Sequence, residues 1–105
     1  VNPLELLEEK RSEIDRICRR FCVKRLRLFG SALNEGWDAG RSDLDFLVEY
    51  RPDSSSLPAL DRLVGLQLAL SDLLGLPVDV VNWATARNPY FRESAERFTH
   101  EIYAD

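Results

Sequence analysis

This chain is poor in sulfur, in imidazole and in long apolar runs. Its 105 residues include two cysteines, one histidine and no methionine. A structural zinc site takes about four Cys or His ligands. Cys18 and Cys22, with His100 far along the chain, do not supply them, so the two thiols are expected to stay reduced, packed or partly exposed. The run LVGLQLAL is interrupted at Gln67 and falls well short of the ~18 apolar residues that cross a membrane. A cationic excess is also missing: 14 basic residues face 18 acidic ones, a net charge of −4, which argues against direct binding of nucleic acid by a whole-surface field. The opening VNPLELLEEKRSEI has neither the basic nor the apolar region of a secretory leader, so the cytoplasm is the expected address.

What is present suffices for one core. At roughly 100–200 residues per domain, a chain that is 45% hydrophobic is expected to form a single domain over 1–105, with no room for a separate substrate lobe. The charge is unevenly spread. Residues 10–27 carry a net +6, leaving −10 for the remainder. That basic segment is a solvated helix face, a surface for an acidic partner, or a contributor to phosphate binding.

Residues 3–20 read as one amphipathic helix. Pro3 suits a first turn, Glu5, Glu8 and Glu9 complement the amino-terminal dipole, and Arg19 and Arg20 the other end. Its core stripe is Leu4, Leu7, Ile14, Ile17 and Cys18. Residues 23–29 alternate as a half-buried strand, with Leu26 and Leu28 on one side and Arg25 and Arg27 on the other. Gly30-Ser31 ends it, and a polar loop follows. A second strand over 43–50 places Leu44, Phe46, Val48 and Tyr50 on one face and Asp43, Asp45, Leu47 and Glu49 on the other. A helix capped by Ser55 or Ser56, with Pro58 in its first turn, is stopped by Gly75. Residues 77–83 predict a third strand. Residues 88–103 predict a last helix with Phe91, Ala95, Phe98, Ile102 and Tyr103 as its apolar positions. The expected fold class is α/β (α+β): a small mixed sheet of about three to four strands with helices packed on it.

Asp43 and Asp45 stand two apart in a strand, so both carboxylates leave the same face. Side-by-side anions repel unless a cation sits between them. A hard divalent ion such as Mg2+ suits carboxylate and phosphate oxygens. Asp79 is a third acid on an apolar strand, and the three converge if that strand neighbours the second. Two metal ions about 3.5–4 Å apart form the clamp used for in-line phosphoryl or nucleotidyl displacement. Gly30, directly after a strand, lets a phosphate approach the backbone, and Ser31 adds a hydroxyl donor. Taken singly, a Gly-Ser is an ordinary turn and a D-x-D an ordinary strand edge. Their order along this chain is what makes them specific.

That order resembles the nucleotidyltransferases of the DNA polymerase β superfamily, with their palm-like fold. More narrowly it resembles the minimal nucleotidyltransferase (MNT) antitoxins of HEPN/MNT toxin–antitoxin pairs. The resemblance runs through Phe29-Gly30-Ser31-Ala32-Leu33, Ser42-Asp43-Leu44-Asp45-Phe46-Leu47-Val48, Val78-Asp79-Val80-Val81 and the tail from Asn88-Pro89-Tyr90-Phe91 to Ile102-Tyr103-Ala104. It implies that Gly30, Ser31 and Ser42 hold the nucleotide. It also implies that Asp43 and Asp45 ligate two Mg2+ ions, and that Asp79 shares a metal and helps deprotonate the attacking hydroxyl. ATP would be the co-substrate, and AMP would pass to a tyrosine hydroxyl of a cognate HEPN RNase toxin. The loop 34–41 departs from the family pattern in lacking an arginine soon after Gly-Ser, and its Trp37 either packs on the domain or stacks on a nucleotide. Two other functions compete: an antitoxin that inhibits by binding alone, and transfer to a small molecule. The small-molecule enzymes of this kind add a second domain, which this length does not provide.

Overall fold

The computed structural model describes residues 3–29, 44–52, 58–97 and 99–104. The elements are α1 (Pro3–Glu9), α2 (Arg11–Arg20), β1 (Val23–Phe29), β2 (Leu44–Tyr50), α3 (Ala59–Leu74), β3 (Val78–Asn82), a 3₁₀ turn (Trp83–Thr85), α4 (Pro89–Arg97) and β4 (Thr99–Ala104). The four strands form one mixed sheet in the order β3-β2-β1-β4. β1 is antiparallel to both neighbours, and β2 and β3 are parallel. A parallel pair needs a crossover, which α3 supplies.

One face of the sheet is the main core. Leu26 and Leu28 of β1, Leu44, Phe46 and Val48 of β2, and Val78 and Val80 of β3 meet Ile14 and Cys18 of α2 and Leu66, Leu70 and Leu74 of α3. The alternation read from the sequence therefore holds for β1 and β2. Glycine matters at two places. A Cβ on Gly65 would lie 2.7 Å from the Phe21 ring, so the missing side chain lets α3 close against the end of α2. Gly75 takes φ +69° at the end of α3 and donates its N–H to the Ser71 carbonyl at 2.8 Å, a left-handed helix stop. At the other end of α3, Pro58 flanks the helix instead of sitting in its first turn, and Ser55 and Ser56 lie outside the described residues.

Two expectations are corrected. The first helix is two helices, interrupted at Lys10 (φ −99°, ψ 13°). Residues 8–13, EEKRSE, are all polar, so nothing on that turn draws it to the core, and Leu7 and Ile14 are buried from either side of the break. The last helix stops at Arg97, and Thr99–Ala104 becomes the fourth strand. Once β2 occupies one edge of β1, the other edge carries backbone groups in need of partners. β4 supplies them, pairing Phe29 with Thr99 and Leu26 with Tyr103. Tyr103 is buried there as a strand residue on the core face. Phe98 lies outside the described residues.

Candidate active site

The second face of the sheet is ordered in rows, because directly paired residues project to the same side. At one end, Asp79 of β3 pairs with Asp45 of β2, Asp45 with Phe29 of β1, and Phe29 with Thr99 of β4. The next row is Val81, Leu47, Arg27 and Glu101. The two aspartates expected on separate strands are thus brought face to face, one strand spacing of roughly 4.8 Å apart. Asp45 is half-buried and Asp79 exposed. Their register is fixed beside them by the Leu44 N–H, which donates to the Pro77 carbonyl at 3.0 Å. Further along, the Val80 N–H donates to Gln67 Oε1 at 3.3 Å, which ties β3 to α3.

Among the described residues Asp79 at the end of the acid row is exposed, whereas Leu47 and Arg27 in the row behind it are buried. Leu47 is 1% exposed although it shares the face of two acids, and Ala95 of α4 is buried above the sheet. The Phe29 and Phe91 rings meet edge to face at 5.3 Å and 85°, so α4 forms an aromatic wall beside Asp45. Arg92 fixes the approach to α4. Its Nη1 donates to the carbonyls of Trp83 (2.9 Å) and Ala86 (2.6 Å), and its guanidinium lies 4.0 Å from the centre of the Trp83 ring. Asn88 Oδ1 accepts from the N–H groups of Tyr90 and Phe91 at 2.9 and 3.3 Å, capping the helix.

Arg27 is the charged residue whose burial the sequence did not show. It is 6% exposed, 4.9 Å from the centre of the Trp83 ring and 3.9 Å from Glu49. Burial first, and then the neighbouring Arg25, pushes its guanidinium below the ordinary value, against the pull of Glu49, Glu96 and Glu101. Arg25 in turn bridges Glu101 (2.9 Å) and Glu49 (3.9 Å). The face therefore grades from an acidic end, through a buried middle, to an ion-paired end. Nothing in the sequence pattern signalled the clamp of Arg27 and Arg92 on Trp83, because the three sit at no regular spacing.

Gly30, Ser31, Ser42 and Asp43, together with the loop 34–41 and its Trp37, lie outside the described residues. Among the described residues, no group of three or more His, Cys, Asp or Glu side chains forms a metal cluster. The pair that does meet suits Mg2+ by its donor chemistry, since that ion is held by one or two carboxylates and completes its shell with phosphates and water. A groove of about 410 Å3 lies elsewhere, between Arg11, Asp15 and Arg19 of α2 and the β4 edge. It is at the opposite side of the sheet from Asp79. Among the described residues, no helix is long and apolar enough to cross a membrane.

Comparison with known proteins adds to this geometry. The nucleotidyltransferase domain pattern matches residues 10–99. Over 93 residues the chain is 36% identical to a protein of Methanocaldococcus jannaschii provisionally named protein adenylyltransferase MJ1217, covering 81% of this chain and 90% of that one. A solved structure provisionally described as a minimal nucleotidyltransferase superposes with a TM-score of 0.72 at 34% identity, over 92% of this chain and 93% of that one. A Shewanella oneidensis complex of a tri-AMPylated HEPN toxin with its MNT antitoxin matches with a TM-score of 0.65 over 94% of this chain and 73% of that one. At 18% identity, that last likeness is one of fold.

Proposed function

This chain belongs to the nucleotidyltransferase domain family, and on that premise we propose that it transfers AMP from ATP to a tyrosine hydroxyl of a partner HEPN toxin and thereby silences it. The carrying observation is the direct pairing of Asp45 with Asp79 across β2 and β3. Two acids held together on apolar strands suit a site that gathers cations and phosphates. The relative named a protein adenylyltransferase supports a protein acceptor, and the fold likeness to an MNT antitoxin bound to an AMPylated toxin supports the kind of partner.

Mg2+, when bound, neutralises the phosphates and the developing charge on them. Asp45, with Asp43 one pleat away in sequence, would hold it, and Asp79 would share it. The acceptor tyrosine oxygen attacks the α-phosphorus and a new P–O bond forms. The bond from the α-phosphorus to the bridging oxygen breaks, and pyrophosphate leaves with its electrons. Asp79 would take the hydroxyl proton. Gly30 and Ser31, following the Phe29 end of β1, would receive the terminal phosphates, and Ser42 would assist. The reaction is assigned to the cytoplasm, where ATP is at hand.

The test is incubation with ATP, Mg2+ and the HEPN protein encoded beside this chain, followed by intact mass and peptide mapping of that protein. Addition of adenylyl groups to a tyrosine, lost in Asp45→Asn and Asp79→Asn, is the expected result. Toxin that stays unmodified yet inhibited, equally by wild type and both variants, would establish inhibition by binding alone.

A further inference from the structure

Tyr90 is the most exposed large apolar side chain among the described residues, at 83%. Exposure by itself assigns it nothing, but its surroundings do. It stands in the first turn of α4, where Asn88 caps the helix and receives the Tyr90 N–H. The next residue, Phe91, is locked onto Phe29, and Phe29 is the direct neighbour of Asp45 in the acid row. Between the carboxylates and Tyr90 there are therefore one strand spacing of roughly 5 Å, one ring contact of 5.3 Å and one step along a helix. These steps add up to a span that an extended nucleotide, with its phosphates on the acid row, is long enough to bridge.

The geometry points to Tyr90 as the platform on which the purine base of the nucleotide stacks. This inference rests on the nucleotidyl-transfer reading and adds to it the residue that recognises the base. The neighbouring surface favours a single flat ligand over a protein partner. Glu93, Ser94, Glu96 and Arg97, the other exposed residues of α4 that follow, are polar or charged, so among the described residues of α4 Tyr90 stands as an isolated ring. The exposed apolar side chains that do line up, Leu60, Val64 and Leu68, belong to α3 on the opposite face of the sheet. Stacking on one ring is tolerant of base identity, since every base offers a π-face, and it favours purines by their larger area.

Binding, measured by calorimetry in Mg2+ on the intact chain, separates the base from the phosphates. The probes are ATP and inorganic tripolyphosphate. Wild type should bind ATP more tightly than tripolyphosphate. Tyr90→Ala should weaken ATP about tenfold, as expected for loss of one stacked base, and leave tripolyphosphate unchanged. Tyr90→Phe, which keeps the ring, should retain wild-type affinity for both. Unchanged ATP affinity in Tyr90→Ala overturns the inference while leaving nucleotidyl transfer standing, and so does equal weakening of both probes. Wild type that binds neither probe overturns the nucleotidyl-transfer reading, and the base platform with it.

Discussion

Asp45 and Asp79 are direct partners across the parallel β2–β3 ladder, on the face of the sheet opposite the main core. Adjacent anions on paired strands destabilise one another unless a cation joins them. Mg2+ should therefore raise the melting temperature of wild type, because a ligand that binds only the folded state stabilises it. Asp79→Asn should lose most of that rise and lower AMP transfer by about a hundredfold or more, the scale of losing a group that acts on the reacting atoms. Thermal melts with and without Mg2+, alongside a transfer assay, check both halves.

Arg92 satisfies two carbonyls of the turn before α4 and stacks on Trp83 with the same guanidinium. Arg92→Met should cost about 1–3 kcal/mol, since both carbonyls lose a charged donor. The near-ultraviolet circular dichroism of the tryptophans should fall while the far-ultraviolet signal holds. Urea unfolding gives the energy. An unchanged near-ultraviolet spectrum would mean that the turn does not depend on the clamp.

Gly75 ends α3 at φ +69°, and an added Cβ would meet nothing within 4 Å. Gly75→Ala therefore isolates the cost of the left-handed backbone from any clash. The expected loss is about 1 kcal/mol, read from the shift in urea midpoint at constant slope.

Burial, with Asp15 adding to it, raises the Cys18 thiol from 9.0 to about 12. Burial raises the Tyr50 hydroxyl from 10.0 to about 12, with Cys18 adding to the rise and Arg62 opposing it. Both groups are held protonated by the fold while the unfolded chain loses those protons sooner. Their contribution is complete below the unfolded values and is lost as pH rises from about 9 toward 12. Denaturation at stepped alkaline pH should show stability falling across that window, and Cys18→Ala should remove the part that begins near pH 9. Tyr50 Oη is buried with no hydrogen-bond partner among the described residues, so Tyr50→Phe should be neutral or stabilising at pH 7.

Much of this arrangement was legible in the sequence, for identifiable reasons. β1 and β2 each show a period of two, so their core positions and the face carrying Asp45 could be assigned without coordinates. An acid set among valines, as Asp79 is, stands out as well. The pairing of β2 with β3 was only conditional, since no local signal fixes which strands become neighbours. The tail was misread because Phe91, Ala95, Ile102 and Tyr103 fit a helical stripe. The decision between helix and strand at 99–104 lies with the open edge of β1, far away in sequence. Arg27 was placed on the face opposite Leu26 and Leu28, as it is, but the alternation could not show that Trp83 would cover it.

The crossover through α3 has a consequence for how the molecule becomes active. Asp45 is made before α3 and Asp79 after it, so neither a nascent chain nor a partly folded one can bring the two acids together until the helix has docked. Contacts this distant along the chain form late, after the local ones. The Asp45–Asp79 pair is thus among the last features to assemble, and under the proposed function an unfinished copy is inert instead of half-active.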